Sequence, residues 1–320
     1  MMTSRRMKAM LKNNCDFLLI DDARLCNPNG NPDDENRPRM DDDTQTLLVS
    51  DVRVKRTLRD FAQKKGFPIF VATSKDKKVT MENRLKAVLA EYGVAADADE
   101  ATKLNAILDN MIDIRMFGSA MAVDGITRTF TGPIQISWGY SLHPVDLVKA
   151  NSISSIMSSN ESTEGYSTFG QMQKAEYAMI AHSGSMNKFA ASKTRLTQED
   201  ADLFPRLLVQ SMMNNQTHSK QGQQPLIYLE VEYAEAFDGF LGDLRRYLDI
   251  TLHKKYAIRS GSDLTVDFSR LSAAISDLKE KGYVTAVRIW MSPLQPGFTN
   301  LPQDAEQLDL FAPISASEKG

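Results

Sequence analysis

Cysteine, histidine and excess positive charge are all scarce in this chain. Two cysteines, Cys15 and Cys26, stand in 320 residues. They lack the spacing of a zinc site and allow one disulfide at most, which fits a reducing cytoplasm. The four histidines, His143, His182, His218 and His253, have no partner at ligand spacing, and no Ser–His–Asp or Cys–His set can be argued. No apolar run approaches the roughly 18 residues needed to cross a bilayer. Arg5, Arg6 and Lys8 near the start are not followed by an apolar stretch of signal-peptide length. A cytoplasmic protein without a membrane partner is expected. The net charge of −3 argues mildly against a free, non-specific nucleic-acid binder, which is usually basic. No Gly-rich phosphate fingerprint opens a helix, no internal repeat is visible, and no cofactor is implied.

What is present is the mix of a folded protein, with 42% hydrophobic and 25% charged residues. A chain of this length buries a sizeable core as two domains or as one elaborated one. Phe17–Ile20 with Asp21 and Asp22 reads as a first strand. A turn-rich loop from Cys26 to Pro32 follows, then an acidic stretch to Asp43. Ser50 is placed to cap a helix over 51–65, with Val54, Leu58 and Phe61 on one face. Phe67–Ala72 reads as a short strand, Met81–Tyr92 and Glu100–Met111 as helices of an insertion, and 128–141 as strand. Residues 151–176 read as a long hairpin. A helix from Thr197 should break or kink at Pro205. Strand Leu226–Tyr233, a helical 237–256, strand 264–268, helix 269–281 and strand 283–291 complete the pattern. The fold class expected is α+β, with a ferredoxin-like or RNA-recognition-type sheet carrying large insertions.

Charge is unevenly spread. Residues 53–78 hold nine Lys or Arg against two acids, a local surplus of seven. On the helix, Lys55, Arg56 and Arg59 point away from the apolar stripe. Such stripes are usually solvated faces. The preceding loop, rich in Asn, Gly and backbone amides that can reach a phosphate or base, raises the case for nucleic acid.

The run Asn27-Pro28-Asn29-Gly30-Asn31-Pro32-Asp33, then Asn36-Arg37-Pro38-Arg39, then Val49 to Arg59, resembles the opening of the Cascade backbone subunits of type I CRISPR systems, guide-RNA-binding proteins of the RAMP superfamily. Asp113 to Gly118, Thr131 to Gln135, Ser141 to Pro144 and Tyr177 to Ala190 match in order. The resemblance covers residues 15–235 and implies a right-hand fold. The palm would comprise 1–74, 113–150 and 177–291, the helical fingers 75–112, the hairpin thumb 151–176, and a flexible tail 292–320. It also implies partners: guide CRISPR RNA, target DNA through the guide, other copies of the chain and other Cascade subunits. Carried over by residue, the RNA-binding set is Asn29, Arg37, Arg39, Lys55, Arg56, Arg59, Arg115, Phe117, Gly118, Gln135, Phe169, Met172, Lys174, His218, Ser219 and Lys220. Two departures stand out. The thumb tip, Asn160 to Gly170, carries no Lys or Arg, and Asp41-Asp42-Asp43 is an unusual acidic run.

The expected function is therefore a non-catalytic guide-RNA scaffold. Two alternatives remain: a metal-dependent ribonuclease using the loop acids, and a general single-stranded RNA-binding protein. Two-metal chemistry needs carboxylates fixed a few ångströms apart, which a Pro-rich loop rarely provides. Trp138 and Trp290 are expected in the core, and the aromatic signature of RNA-recognition sheets is missing, so no RNA is expected on the open sheet face. Gln307 to Phe311 looks like a sliding-clamp docking peptide, although packing of Leu308, Leu310 and Phe311 within the assembly is the favoured reading.

Overall fold

The first strand extends well beyond its apolar run. β1 covers Cys15–Cys26 and keeps Asp16, Asp21 and Asp22 within its ladder. Both of its faces are buried. Phe17, Leu19 and Ala23 belong to one core, Leu18 and Ile20 to another. The computed structural model describes residues 9–72, 80–123, 126–149, 152–155, 168–171, 173–294 and 297–316. Its helices are α1 Asp51–Lys64, α2 Met81–Glu91, α3 Glu100–Asn110, α4 Ile112–Phe117, α5 Lys188–Thr194, α6 Gln198–Asn214 and α7 Ser269–Glu280. The result is an α+β fold around one central sheet.

The sheet is built from β1, β2 (Gly139–Ser141), β3 (Ala175–Met186), β4 (Gln223–Tyr233) and β5 (Val284–Met291). Its order is β5-β4-β1-β3-β2, with every neighbouring pair antiparallel. Leu19 lies between His182 and Tyr228, which fixes the register at the centre. Thr46–Val49 extends the sheet beyond β2, and Glu306–Gln307 runs parallel to β5 at the far edge. α1 and α6 cover one face, through Val54, Leu58 and Phe61 and through Phe204 and Leu208. Leu244, Leu264, Phe268 and α7 cover the other. The sheet thus has no open apolar face at its centre. α2 and α3 form a third core, with Leu85, Val88 and Leu89 against Ile107 and Leu108.

Several expectations need correction. Phe67–Ala72 is not a strand: the amides of Phe70 and Val71 donate to the Asp113 carboxylate (2.8 and 3.0 Å) rather than to a neighbouring chain. Pro205 does not end its helix. α6 runs through it, capped by Thr197 and Asp200, with Phe204, Pro205, Leu207 and Leu208 buried. Proline removes one helical hydrogen bond, and burial of Phe204, Leu207 and Leu208 around it keeps the helix continuous. The expected helix at 237–256 is a 3-10 turn, Leu244–Tyr247, and a strand, Asp249–Leu252. There the amides of Leu241, Gly242 and Leu244 donate to Tyr233 Oη, Asp16 Oδ2 and Ser183 Oγ, so side chains compete with helical pairing. The 128–141 strand is broken into Ile126–Thr131, Ile134–Ile136 and β2. At Gly132 a Cβ would stand 2.1 Å from the carbonyl carbon of Phe117, so only glycine fits.

The tail is also more ordered than expected. Leu310 and Ile314 are buried in the α1/α6 core, and Gln210 Nε2 donates to the carbonyls of Leu310 and Ala312. Phe311 stands edge-on to Trp290, 5.3 Å between centroids. The clamp-like peptide is therefore engaged within its own chain. Of the expected hairpin, Ser152–Ser155 pairs with Thr168–Gln171; its tip lies outside the described residues.

Candidate nucleic-acid interface

The loop after β1 is tied to two other elements. Ser50 caps α1, its Oγ accepting from Arg53 N at 3.3 Å. Asn29 is buried, and its Oδ1 accepts from both Ser50 N (2.8 Å) and Ser50 Oγ (2.9 Å). Its carbonyl accepts from Arg39 N. Two residues earlier, Asn27 N donates to Ser219 O at 2.7 Å, Asn27 Nδ2 donates to Asn36 O, and Lys220 Nζ donates to Asn27 O. Loop, helix start and the 217–220 turn thus form one joint. Asn29 holds this joint together, and its side chain is consumed in doing so.

Cations rim the joint. Lys55 pairs with Asp51 (3.0 Å) and Arg56 with Asp60 (2.9 Å), both at i,i+4 spacing. Arg59 Nε meets Asp113 at 3.1 Å. The Phe117 ring lies beneath both Lys55 and Arg59, at 5.8 and 5.1 Å from its centroid, so these three predicted residues do come together. Arg53 makes no side-chain hydrogen bond or ion pair among the described residues, and burial, with Arg56 nearby, lowers its pKa against the pull of Asp60. Burial and the neighbouring Arg53 push Lys220 down to about 8. Arg53 and Lys220 form a compact cationic pair at the start of α1. Arg53 shares a flank with Arg56 at i,i+3, a spacing from which it could have been chosen from sequence.

Other predicted residues are placed differently. Arg115 is buried and fully used: Nε and one terminal nitrogen pair with Asp200 at 2.7 and 2.9 Å, and the other bonds the carbonyls of Leu108 and Asp109. It fastens α4 to α6 and α3, and it is not a surface contact. Gly118 has φ +69, and a Cβ there would lie 2.0 Å from Phe130 O; it serves close packing of two backbones. Gln135 is exposed beside them, bonded to Gly132 O. His218 is exposed, with Ser219 and Lys220 half-buried. Lys174 is half-buried at the base of the hairpin. The side chains of Phe169 and Met172 lie outside the described residues, as do Lys75, Lys77 and Lys78 of the basic run.

Arg37 and Arg39 sit on the far side of the loop, lining a groove with Trp138. Trp138 is 48% exposed, contrary to its expected place in the core, because the sheet breaks at Ser137 before β2 begins; Trp290 is buried. Among the loop acids, Asp21 is buried against His182 (3.0 Å) and Gln223 (2.8 Å). Burial, then Asp21 beside it, raises Asp22 to about 7. Asp33, Asp34, Glu35 and Asp41–Asp43 are exposed. Among the described residues no three His, Cys, Asp or Glu side chains converge as metal ligands would. Nor, among them, is any helix long and apolar enough to cross a membrane.

Comparison with known proteins agrees with this architecture. A family model described as "CRISPR-associated protein Cas7" matches residues 13–269. A curated protein of that description from Haloferax volcanii is 30% identical over 291 residues, 84% of each chain. A chain of a solved "CRISPR RNA-guided surveillance complex, pre-nicking" superposes with a TM-score of 0.56 at 12% identity, covering 92% of this chain and 96% of its own; at that identity the likeness concerns the fold. On the family match and the curated relative, the chain belongs to the CRISPR-associated protein Cas7 family.

Proposed function

We propose that this chain is a guide-RNA-binding backbone subunit of a type I CRISPR surveillance complex, repeated along the RNA and not itself a catalyst. The observation that carries the reading is the joint at the start of α1. The loop, a capped helix and the 217–220 turn gather Arg53, Arg56 and Lys220 at the start of α1, with Lys55 and Arg59 over the Phe117 ring, in an otherwise acidic chain. Arginine suits phosphate because its planar fork donates two bonds at once. In such an assembly base pairing with the guide reads the target DNA, and the protein holds backbone. The partners are the guide, the target through it, further copies of this chain and other subunits of the complex.

The right-hand organisation belongs to the same proposal. β1, α1, β2, β3, α6 and β4 follow the order of a ferredoxin-like unit, and the sheet order β4-β1-β3-β2 is the one such a unit has. We assign this unit to the palm, residues 75–112 to the fingers and 151–176 to the thumb. The tail moves to the palm, since 297–316 packs there. Asn29 and Arg115 are assigned to positioning the site, and Arg53 joins the contact set.

The test is assembly on guide RNA. Replacing Lys55, Arg56 and Arg59 together by Ala should abolish co-purification of guide RNA with the subunit. At lower salt, where residual binding is measurable, the slope of log affinity against log salt should fall by about 2, from three lost single-strand contacts at roughly 0.7 each. Assembly equal to the wild type would refute the proposal. RNA cleavage with Mg²⁺ that is lost on Asp→Asn changes in the loop would favour the nuclease reading.

A further inference from the structure

The groove beside the loop is not used by the α1 rim. It has a volume of about 210 Å³, and Asn31, Arg37, Arg39, Trp138, Asp34 and Asp42 line it. Trp138 offers nearly half its surface to solvent, unusual for so large an aromatic side chain, yet its backbone is pinned. Its carbonyl accepts from Arg245 Nη1 at 2.6 Å, and Ser137 N donates to Ser183 O across the sheet. Arg245 in turn lies over the Tyr140 ring at 4.2 Å. The indole is thus held by a fixed base while its ring faces outward. Among the residues lining the groove, Arg39 Nε and Asn31 Oδ1 are both withdrawn from water and have no hydrogen-bond partner. One is a donor and the other an acceptor, and both have given up hydration without gaining a bond.

We propose that this groove takes one nucleotide of single-stranded nucleic acid, its base stacked on Trp138 and its phosphate on Arg37 and Arg39. The inference rests on the nucleic-acid reading above and adds to it a second contact point, outside the α1 rim. Stacking suits a scaffold because every base has a π-face, so the contact tolerates any sequence. The unpaired donor and acceptor suit the polar edge of a base. Asp42 is the internal competitor: it pairs with Arg37 at 3.5 Å, Arg37 being part-exposed and Asp42 largely exposed, and an incoming phosphate replaces it.

Tryptophan fluorescence reads this groove directly, because the only other tryptophan, Trp290, is buried. The full-length chain is titrated with short oligo-rU and, separately, oligo-dT; the two arms distinguish guide-like from target-like strands. Binding should quench emission in the wild type but not in Trp138→Phe. Trp138→Ala should weaken binding roughly five- to hundredfold, and Asp42→Asn should tighten it. Thermal melts of the exposed-site variants should match the wild type. If Trp138→Ala and Trp138→Phe bind as the wild type does, while the Lys55/Arg56/Arg59 variant does not bind, this inference falls and the α1 reading stands. A chain that binds neither oligonucleotide at low salt, even with Asp60→Asn, overturns both. Altered self-association in the Trp138 variants, with oligonucleotide binding unchanged, assigns the groove to a neighbouring copy and overturns the nucleotide assignment.

Discussion

Replacing Arg115 by Met decides whether this arginine grips RNA or holds the fold. In the structure its guanidinium is bidentate to Asp200, and the remaining donor caps the carbonyls that end α3. Both partners are buried, at 8% and 7% side-chain exposure. Removing the cation strands the Asp200 carboxylate with hydrogen bonds from Thr197 alone, its amide at 3.3 Å among them. Breaking a buried pair by deleting one partner costs about 3–5 kcal/mol, because the other charge is left uncompensated. Urea unfolding at pH 7 should therefore show Arg115→Met destabilised by roughly that amount. Burial alone would raise the Asp200 pKa, but the hydrogen bonds and charge of Arg115, with those of Thr197, hold it below 3.8. A depressed carboxylate stabilises the fold above its unfolded pKa and loses that contribution as the pH falls through the folded value. The gap between wild type and variant should accordingly narrow below pH 3.8. The double variant Arg115→Met/Asp200→Leu should recover part of the loss. A variant with wild-type unfolding and lost RNA binding would refute the reasoning and return Arg115 to the RNA groove.

Three further outcomes follow from the geometry. Lys220, pushed down to about 8, is charged below that pH, so RNA binding through it should weaken between pH 7 and 9, and Lys220→Arg should flatten the profile in a filter-binding assay. Its lowered folded pKa makes stability rise with pH from about 8 to the unfolded value of 10.5, the same sign as for a depressed carboxylate but at alkaline pH. Gly118→Ala should lower the melting temperature sharply. It forces a side chain onto a backbone of φ +69, 2.0 Å from Phe130 O, and strain of this kind alone costs about 1–3 kcal/mol. In the tail, Leu310→Ala should cost about 2–5 kcal/mol, while Phe311→Ala should lose only the ring pair with Trp290, about 0.5–1.5 kcal/mol; the opposite ranking in chemical unfolding would mean that the tail does not pack as described.

Local chemistry was legible in the sequence. Ser50 and Thr197 cap the helices they were expected to cap, and Val54, Leu58 and Phe61 are the buried stripe of α1. What escaped was decided at long range. Asn29 is carried over as an RNA ligand from the resemblance, and its partner, Ser50, lies 21 residues on and meets its side chain only once the loop folds back. Arg115 is carried over as an RNA contact from the resemblance, and the pairing that buries it, with Asp200, spans 85 residues. Phe67–Ala72 has the composition of a strand, yet a single carboxylate, Asp113, takes two of its amides. Trp138 reads as core from its place in a strand pattern, and its exposure depends on where the sheet breaks.

The pairing of the cations explains how an acidic chain can serve as an RNA scaffold. Each residue of the predicted triad already has a carboxylate: Asp51, Asp60 or Asp113. Exposed i,i+4 pairs contribute only about 0.3–0.5 kcal/mol, so a phosphate displaces Asp60 from Arg56 at little cost. Arg59 differs, because Asp113 is fully buried and also holds Phe70 and Val71; it keeps its partner and offers the phosphate its remaining donors. One subunit alone therefore gains little from any stray strand, since part of each phosphate contact only replaces an existing bond. Many subunits side by side on one RNA sum these small gains, as linked sites do. Weak single-copy binding is thus expected of the scaffold, and removing the competitor should expose it. Asp60→Asn should raise the affinity of the isolated chain for single-stranded RNA by a fewfold at low salt, with the difference vanishing as salt screens the pair. Unchanged affinity would mean that Arg56 does not meet phosphate.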